Sequence, residues 1–175
     1  MSSAADQHDL DKLKRWRQSL SDSAGDFPVY AVFLVSEADR MAHDIFRTFR
    51  KSFEARNAGF ESLVIFGQHG VSEVVYALLA EFGLTAGSLP SLLLIIAPQN
   101  SSRYTLALHP GEVQPSDPGQ LPSPAEELLS QVEKLADEVA DEMHFEGIAG
   151  LTELQCPDQD LAPLVERLVK TLDQP

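Results

Sequence analysis

Residues 29–46 read VYAVFLVSEADRMAHDIF, and the order of patterns within this stretch sets the architecture. Val29–Val35 is a continuous apolar run rich in β-branched residues, the pattern of a strand covered on both faces. Ser36 then offers a capping hydroxyl with Asp39 three positions on, close to a capping box. Ala42, Ile45, Phe46, Phe49 and Phe53 follow at helical spacing, while Arg40, Asp44, Arg47 and Lys51 fall on another face. Asn57-Ala58-Gly59 is the expected terminator of this helix.

Working outward, Leu63–Phe66 reads as a second buried strand, so the first unit is strand–helix–strand with a right-handed parallel crossover. A turn at Gly67-Gln68-His69-Gly70 leads to a helix over SEVVYALLAEF that ends at Gly83. The loop Leu84–Pro90 delivers the chain into a third strand, Ser91–Ala97. After a turn at Pro98–Ser101, Arg103–Leu108 reads as a fourth strand, antiparallel because the connection is too short for a crossover. Upstream, residues 8–20 place Leu10, Leu13, Trp16 or Arg17, and Leu20 on one helical stripe, with a basic face of Lys12, Lys14, Arg15 and Arg17.

Downstream, residues 110–124 hold five of the eleven prolines and read as a linker. A helix at 125–143 has an apolar stripe of Leu128, Val132, Leu135, Val139 and Met143 and an acidic back. A last helix at about 161–172 buries Leu161, Leu164, Val165, Leu168, Val169 and Leu172. The expected class is α/β, a small mixed sheet flanked by helices with a C-terminal helical extension. Three segments are expected: a sheet domain with its N-terminal helix over 1–109, the linker over 110–124, and an acidic helical extension over 125–175.

Composition narrows the function. The 175 residues are 43% hydrophobic and 23% charged, ordinary for a globular chain, and no apolar run reaches the roughly 18 residues that span a bilayer. The first residues, MSSAADQHDLDKLKRW, lack the apolar region of a secretory signal, and a cytoplasmic location is expected. The net charge is −14, which argues against nucleic acid and anionic membrane as partners. Residues 1–103 carry 10 basic and 12 acidic side chains, and residues 104–175 carry 3 and 15. The acidic face of the 125–143 helix, with Glu133, Asp137 and Asp141, is therefore a candidate surface for a basic protein partner, against the alternative of solubility alone. Cys156 is the one cysteine, so neither an intrachain disulfide nor a multi-cysteine metal site is available. It lies in QCPDQD beside Asp158 without an activating cation and reads as an ordinary thiol. The five histidines, His8, His43, His69, His109 and His144, fall on different elements with no i, i+4 pair, so no metal site and no cofactor are expected.

Two marks resemble the thioredoxin family. In that family an apolar strand leads to CxxC and then to a helix opening with a basic residue and Met. Here SEAD, residues 36–39, occupies the CxxC place and Arg40-Met41 follow. Further on, Phe82-Gly83-Leu84 leads to Gly87-Ser88-Leu89-Pro90-Ser91 and an apolar strand. This is similar to the family's Tyr-Gly-hydrophobic step and its Gly-Ile-Pro-Thr, with two additional loop residues. The resemblance covers about residues 28–109. It implies a thioredoxin-like sandwich with Pro90 as the cis-proline, facing Ser36.

The departures remove the chemistry. Dithiol exchange needs a low-pKa thiolate and a resolving thiol, and both cysteine places are lost, to Ser36 and Asp39. Val35 stands where the family has Trp, and Tyr30 where it has a buried acid. The resemblance therefore implies a redox-inactive fold that is not a dithiol–disulfide oxidoreductase. What remains is a binding surface of Ser36, Glu37, Asp39, Leu89, Pro90 and Ser91, able to receive an extended peptide by strand addition. Glu37 and Asp39 already fill the helix N-terminus with negative charge, which disfavours an anionic ligand there. The expected function is a non-catalytic protein-binding module, an adaptor, assembly factor or chaperone-like protein. The alternative is a glutathione-binding or glutathione-transferase-like protein using the Ser36 hydroxyl; against it, Ser36 serves equally as a helix cap.

Overall fold

Five segments of four to six residues build a five-stranded sheet in the computed structural model, which describes residues 3–22, 29–36, 47, 63–96, 104–108, 151–154 and 161–174. The strands are β1 (Val29–Leu34), β2 (Leu63–Phe66), β3 (Ser91–Ile96), β4 (Tyr104–Leu108) and β5 (Leu151–Leu154). Their spatial order is β2-β1-β3-β4-β5. β1 and β2 are parallel, with Leu34 beside Phe66, and the remaining neighbours are antiparallel. Val32, Leu34, Phe66, Leu93, Ile95 and Ala107 share a core with the helices. The alternate residues Ala31, Phe33, Ile65, Leu92 and Leu94 are buried as well, so the central strands are covered on both faces, as their uninterrupted apolar pattern predicts.

Three α-helices are described: α1 (Ala4–Asp22), α2 (Glu73–Glu81) and α3 (Leu161–Leu172). α1 packs against α3, α2 and β2, and α2 also meets α3. α1 begins four residues before the predicted start because Ser3 and Asp6 form a reciprocal cap. The Asp6 N–H donates to the Ser3 hydroxyl at 3.1 Å, and the Ser3 N–H donates to the Asp6 carboxylate at 2.9 Å. α2 starts at Ser72, whose hydroxyl accepts from the Val75 N–H at 3.3 Å. It ends as predicted at Gly83, which adopts φ +69° while Leu84 N–H closes onto Leu79 O at 2.8 Å. A single 3-10 turn, Ala86–Ser88, then enters the Leu89–Pro90 loop.

The C-terminal part differs from expectation. Only helices were expected over 125–175, but Leu151–Leu154 is a strand that pairs with β4 through Leu106↔Glu153 and Ala107↔Thr152. Four residues without alternation carry too little pattern to predict a strand. The backbone groups of β4 supply what the side chains do not announce. α3 follows its predicted stripe, with Leu161, Leu164, Val165, Leu168 and Val169 buried and Leu172 half-buried. Both β5 and α3 thus belong to the same sheet and core as the N-terminal elements. The predicted helix after Ser36 lies outside the described residues except for Arg47, which is helical and exposed. The 110–124 linker and the 125–143 helix lie outside them too.

The basic face of α1 is largely committed within the chain. Lys14 pairs with Asp173 at 2.6 Å and Arg17 with Glu166 at 3.5 Å, while Arg167 of α3 reaches Glu81 of α2 at 2.8 Å. These pairs are part-exposed, so solvent screens them and they add little to stability. They orient α3 across α1 and α2, while the apolar stripe provides the attraction.

Candidate functional site

The register of β1 against β3 places Leu34 opposite Ser91. Ser36, two residues past Leu34, and Pro90, one residue before Ser91, therefore stand at the same end of adjacent strands. The Leu89–Pro90 peptide bond is cis, as the resemblance implies. Ser36, Leu89 and Pro90 are half-buried and so offer part of their surface to solvent. Ser91 does not: it is fully buried, and its hydroxyl donates to the Ser88 carbonyl. Ser91 therefore braces the loop instead of presenting a group to a ligand. Glu37 and Asp39 lie outside the described residues, as do Glu133, Asp137 and Asp141.

The same end of the sheet carries a second constellation, built around the turn after β2. Val35 N–H donates to Phe66 O at 3.0 Å, extending the β1–β2 ladder by one bond. Gly67 follows with φ +92°, pressed so close to Val35 that a Cβ would stand 1.9 Å from the Val35 carbonyl oxygen. Both the left-handed backbone and the close approach require glycine. Gly67 thus ties the β2–α2 turn to the backbone that leads directly into Ser36.

What holds Gly67 there is Asp9 of α1. Its side chain is 1% exposed. One carboxylate oxygen, Oδ2, accepts from the Gly67 N–H at 2.9 Å and from the Ser72 hydroxyl at 2.6 Å. The other, Oδ1, is buried without a hydrogen-bond partner. Ser72 in turn caps α2, so one buried carboxylate joins α1, the turn and the α2 N-terminus. Asp6, one helical turn earlier, accepts from the Glu73 N–H at 2.9 Å and adds a second tie at the same place. That bond, with the two from Ser3, holds the Asp6 carboxyl below the usual aspartate range.

Lys12 and His8 complete the seam. The Lys12 ammonium donates to Ile65 O at 3.0 Å and to Gln68 Oε1 at 2.6 Å. Its partial burial lowers its pKa from the ordinary lysine value, against the opposing pull of Asp9. His8 meets His69 of the turn edge-to-face, with ring centroids 4.4 Å apart at 90°. Desolvation, followed by the charges of Lys12 and His69, holds the His8 pKa below the usual histidine value.

Sequence patterns had read none of these residues as a unit. The histidines fall on different elements in the sequence, yet His8 and His69 touch across 61 positions. A signal for Asp9 existed: the buried stripe of α1 is Asp9, Leu13, Trp16 and Leu20, so helical periodicity places an aspartate on the apolar face. Leu10, read as part of that stripe, is only half-buried. Among the described residues, no group of three or more His, Cys, Asp or Glu is placed to hold a metal ion, and no helix is long and apolar enough to cross a membrane. In comparison with known proteins, no family model and no curated protein matches the chain.

Proposed function

We propose that the chain is a redox-inactive, thioredoxin-like module that binds an extended polypeptide at the end of the sheet formed by Ser36 and the Leu89–Pro90 loop. The observation that carries this reading is the Leu34↔Ser91 register, which sets Ser36 and Leu89–Pro90 side by side where two strands end. The order β2-β1-β3-β4, with one parallel and two antiparallel pairings, is compatible with a thioredoxin-like sandwich and supports the resemblance read from the sequence. With Ser91 turned inward, the contact surface narrows to Ser36, Leu89 and Pro90, joined by Glu37 and Asp39 from the sequence. The single cysteine removes dithiol exchange as the purpose of the surface. The acidic residues Glu133, Asp137 and Asp141 suit a basic region on the same partner.

The reading is tested by NMR titration of the full chain with a library of extended peptides. Binding should move the amide signals of Ser36 and Leu89 first. Leu89 also packs against the core, so Leu89→Arg should lower the melting temperature somewhat, but it should abolish that binding well below its own melt. A peptide that binds and perturbs only residues elsewhere refutes the site. Glutathione at millimolar concentration discriminates the alternative: a rise of several degrees in Tm, lost in Ser36→Ala, favours a glutathione-binding protein.

A further inference from the structure

We propose that His8 and His69 form a proton-sensitive clasp that fastens the first half of α1 to the β2–α2 turn and releases it as the pH falls below neutrality. The clasp is independent of what the Leu89–Pro90 loop binds.

The geometry concentrates basic groups on one seam. The two imidazoles meet edge-to-face, with centroids 4.4 Å apart, between α1 and the turn. On α1, Lys12 lies one helical turn from His8 and is fixed by its bonds to Ile65 O and Gln68. Arg15 adds a further positive charge acting on His8, and Asp9 the opposing negative one. From the turn, His69 is the titratable group that faces it, and at the α2 N-terminus Glu73 donates its backbone N–H to Asp6. The Asp9 oxygen that makes hydrogen bonds is occupied by Gly67 and Ser72. A proton on His8 therefore adds a charge beside cations that the fold holds in place. An imidazolium edge on a neutral ring is attractive by itself, but partial desolvation and Lys12 act against it, and His8 titrates below its ordinary value.

The sign follows from linkage. A histidine whose pKa is depressed in the closed state binds protons more readily when the seam is open. Closure is strongest above the ordinary histidine value of about 6.5 and weakens as pH falls below it. The bond next to the clasp is the one from Gly67 N–H to Asp9, adjacent to His8 on α1. Opening therefore frees the Gly67 amide and relaxes the turn that abuts Val35 and Ser36.

Hydrogen exchange at single amides of the full chain reads this directly. Opening at the Gly67 amide, corrected for intrinsic exchange, should rise several-fold between pH 7.5 and pH 5.0, while the β3 amides of Leu93 and Leu94 keep their protection. His8→Gln should flatten the response. His8→Lys, which places a permanent charge on the seam, should show at pH 7.5 the opening that the native chain shows at pH 5.0. Gly67 protection that stays level or increases on acidification overturns the clasp. So does a loss of equal size in His8→Gln, or one shared by Leu93 and Leu94.

Discussion

Gly67→Ala is the substitution whose cost the structure specifies most closely. Gly67 has φ +92°, and an added Cβ would lie 1.9 Å from the Val35 carbonyl oxygen, where ordinary contact begins near 3.4 Å. Relief requires the turn or the end of β1 to move by about 1.5 Å, and both are anchored, Gly67 by Asp9 and Val35 by Phe66 O. Gly83 provides a matched control, since it also has positive φ, +69°, but nothing stands within 4 Å of its virtual Cβ. Left-handed backbone costs a non-glycine residue about 1–2 kcal/mol, and the loss of unfolded-state freedom returns about 0.4–1 kcal/mol. Gly83→Ala should therefore lose roughly 0–1.5 kcal/mol. Gly67→Ala carries the same terms plus an overpacking cost of about 1–3 kcal/mol, for a total of roughly 1–4.5 kcal/mol. Urea unfolding followed through Trp16 measures both, because it is the one tryptophan and is 3% exposed against Phe66. If Gly67→Ala destabilises no more than Gly83→Ala, the turn is not pressed on Val35, and the path from Asp9 to Ser36 fails with it.

Asp9→Asn keeps the size of the side chain but weakens two charge-assisted bonds, and unfolding should show a loss of about 1.5–3 kcal/mol with Trp16 fluorescence as the readout. Asp6 has a depressed pKa, so the stability it contributes is present above the unfolded aspartate value of about 3.9 and is lost as pH falls through its lower folded value. The native chain should therefore lose more Tm than Asp6→Asn over the window below about pH 4, and parallel melting curves would refute the Glu73 and Ser3 bonds. With dithiothreitol as reductant, the protein should not reduce insulin disulfides above a buffer control. Turnover that disappears in Cys156→Ser would assign a role to a thiol read here as ordinary.

Local patterns carried β1, β2, β3, β4, α2 and α3, because each needs only a periodicity that a few neighbouring residues can state. An unbroken apolar run means burial on both faces, and Ser72 and Gly83 mark helix ends through their own backbone chemistry. The placement of Ser36 and Pro90 at one end of the sheet is implied only by the resemblance to thioredoxins, because local periodicity does not state which strands become neighbours; the β1–β3 register decides it. Tertiary structure alone decided the polar seam. Lys12 meets Ile65 across 53 positions, and Asp9 meets Ser72 across 63. Nothing in either local sequence states these meetings. They exist because the apolar stripe of α1 docks on the sheet and carries its polar residues with it, so an aspartate on that stripe has to find buried donors or lose its solvation. β5 is the same case in the backbone: four residues that specify little become a strand because β4 leaves an edge of unpaired groups beside them.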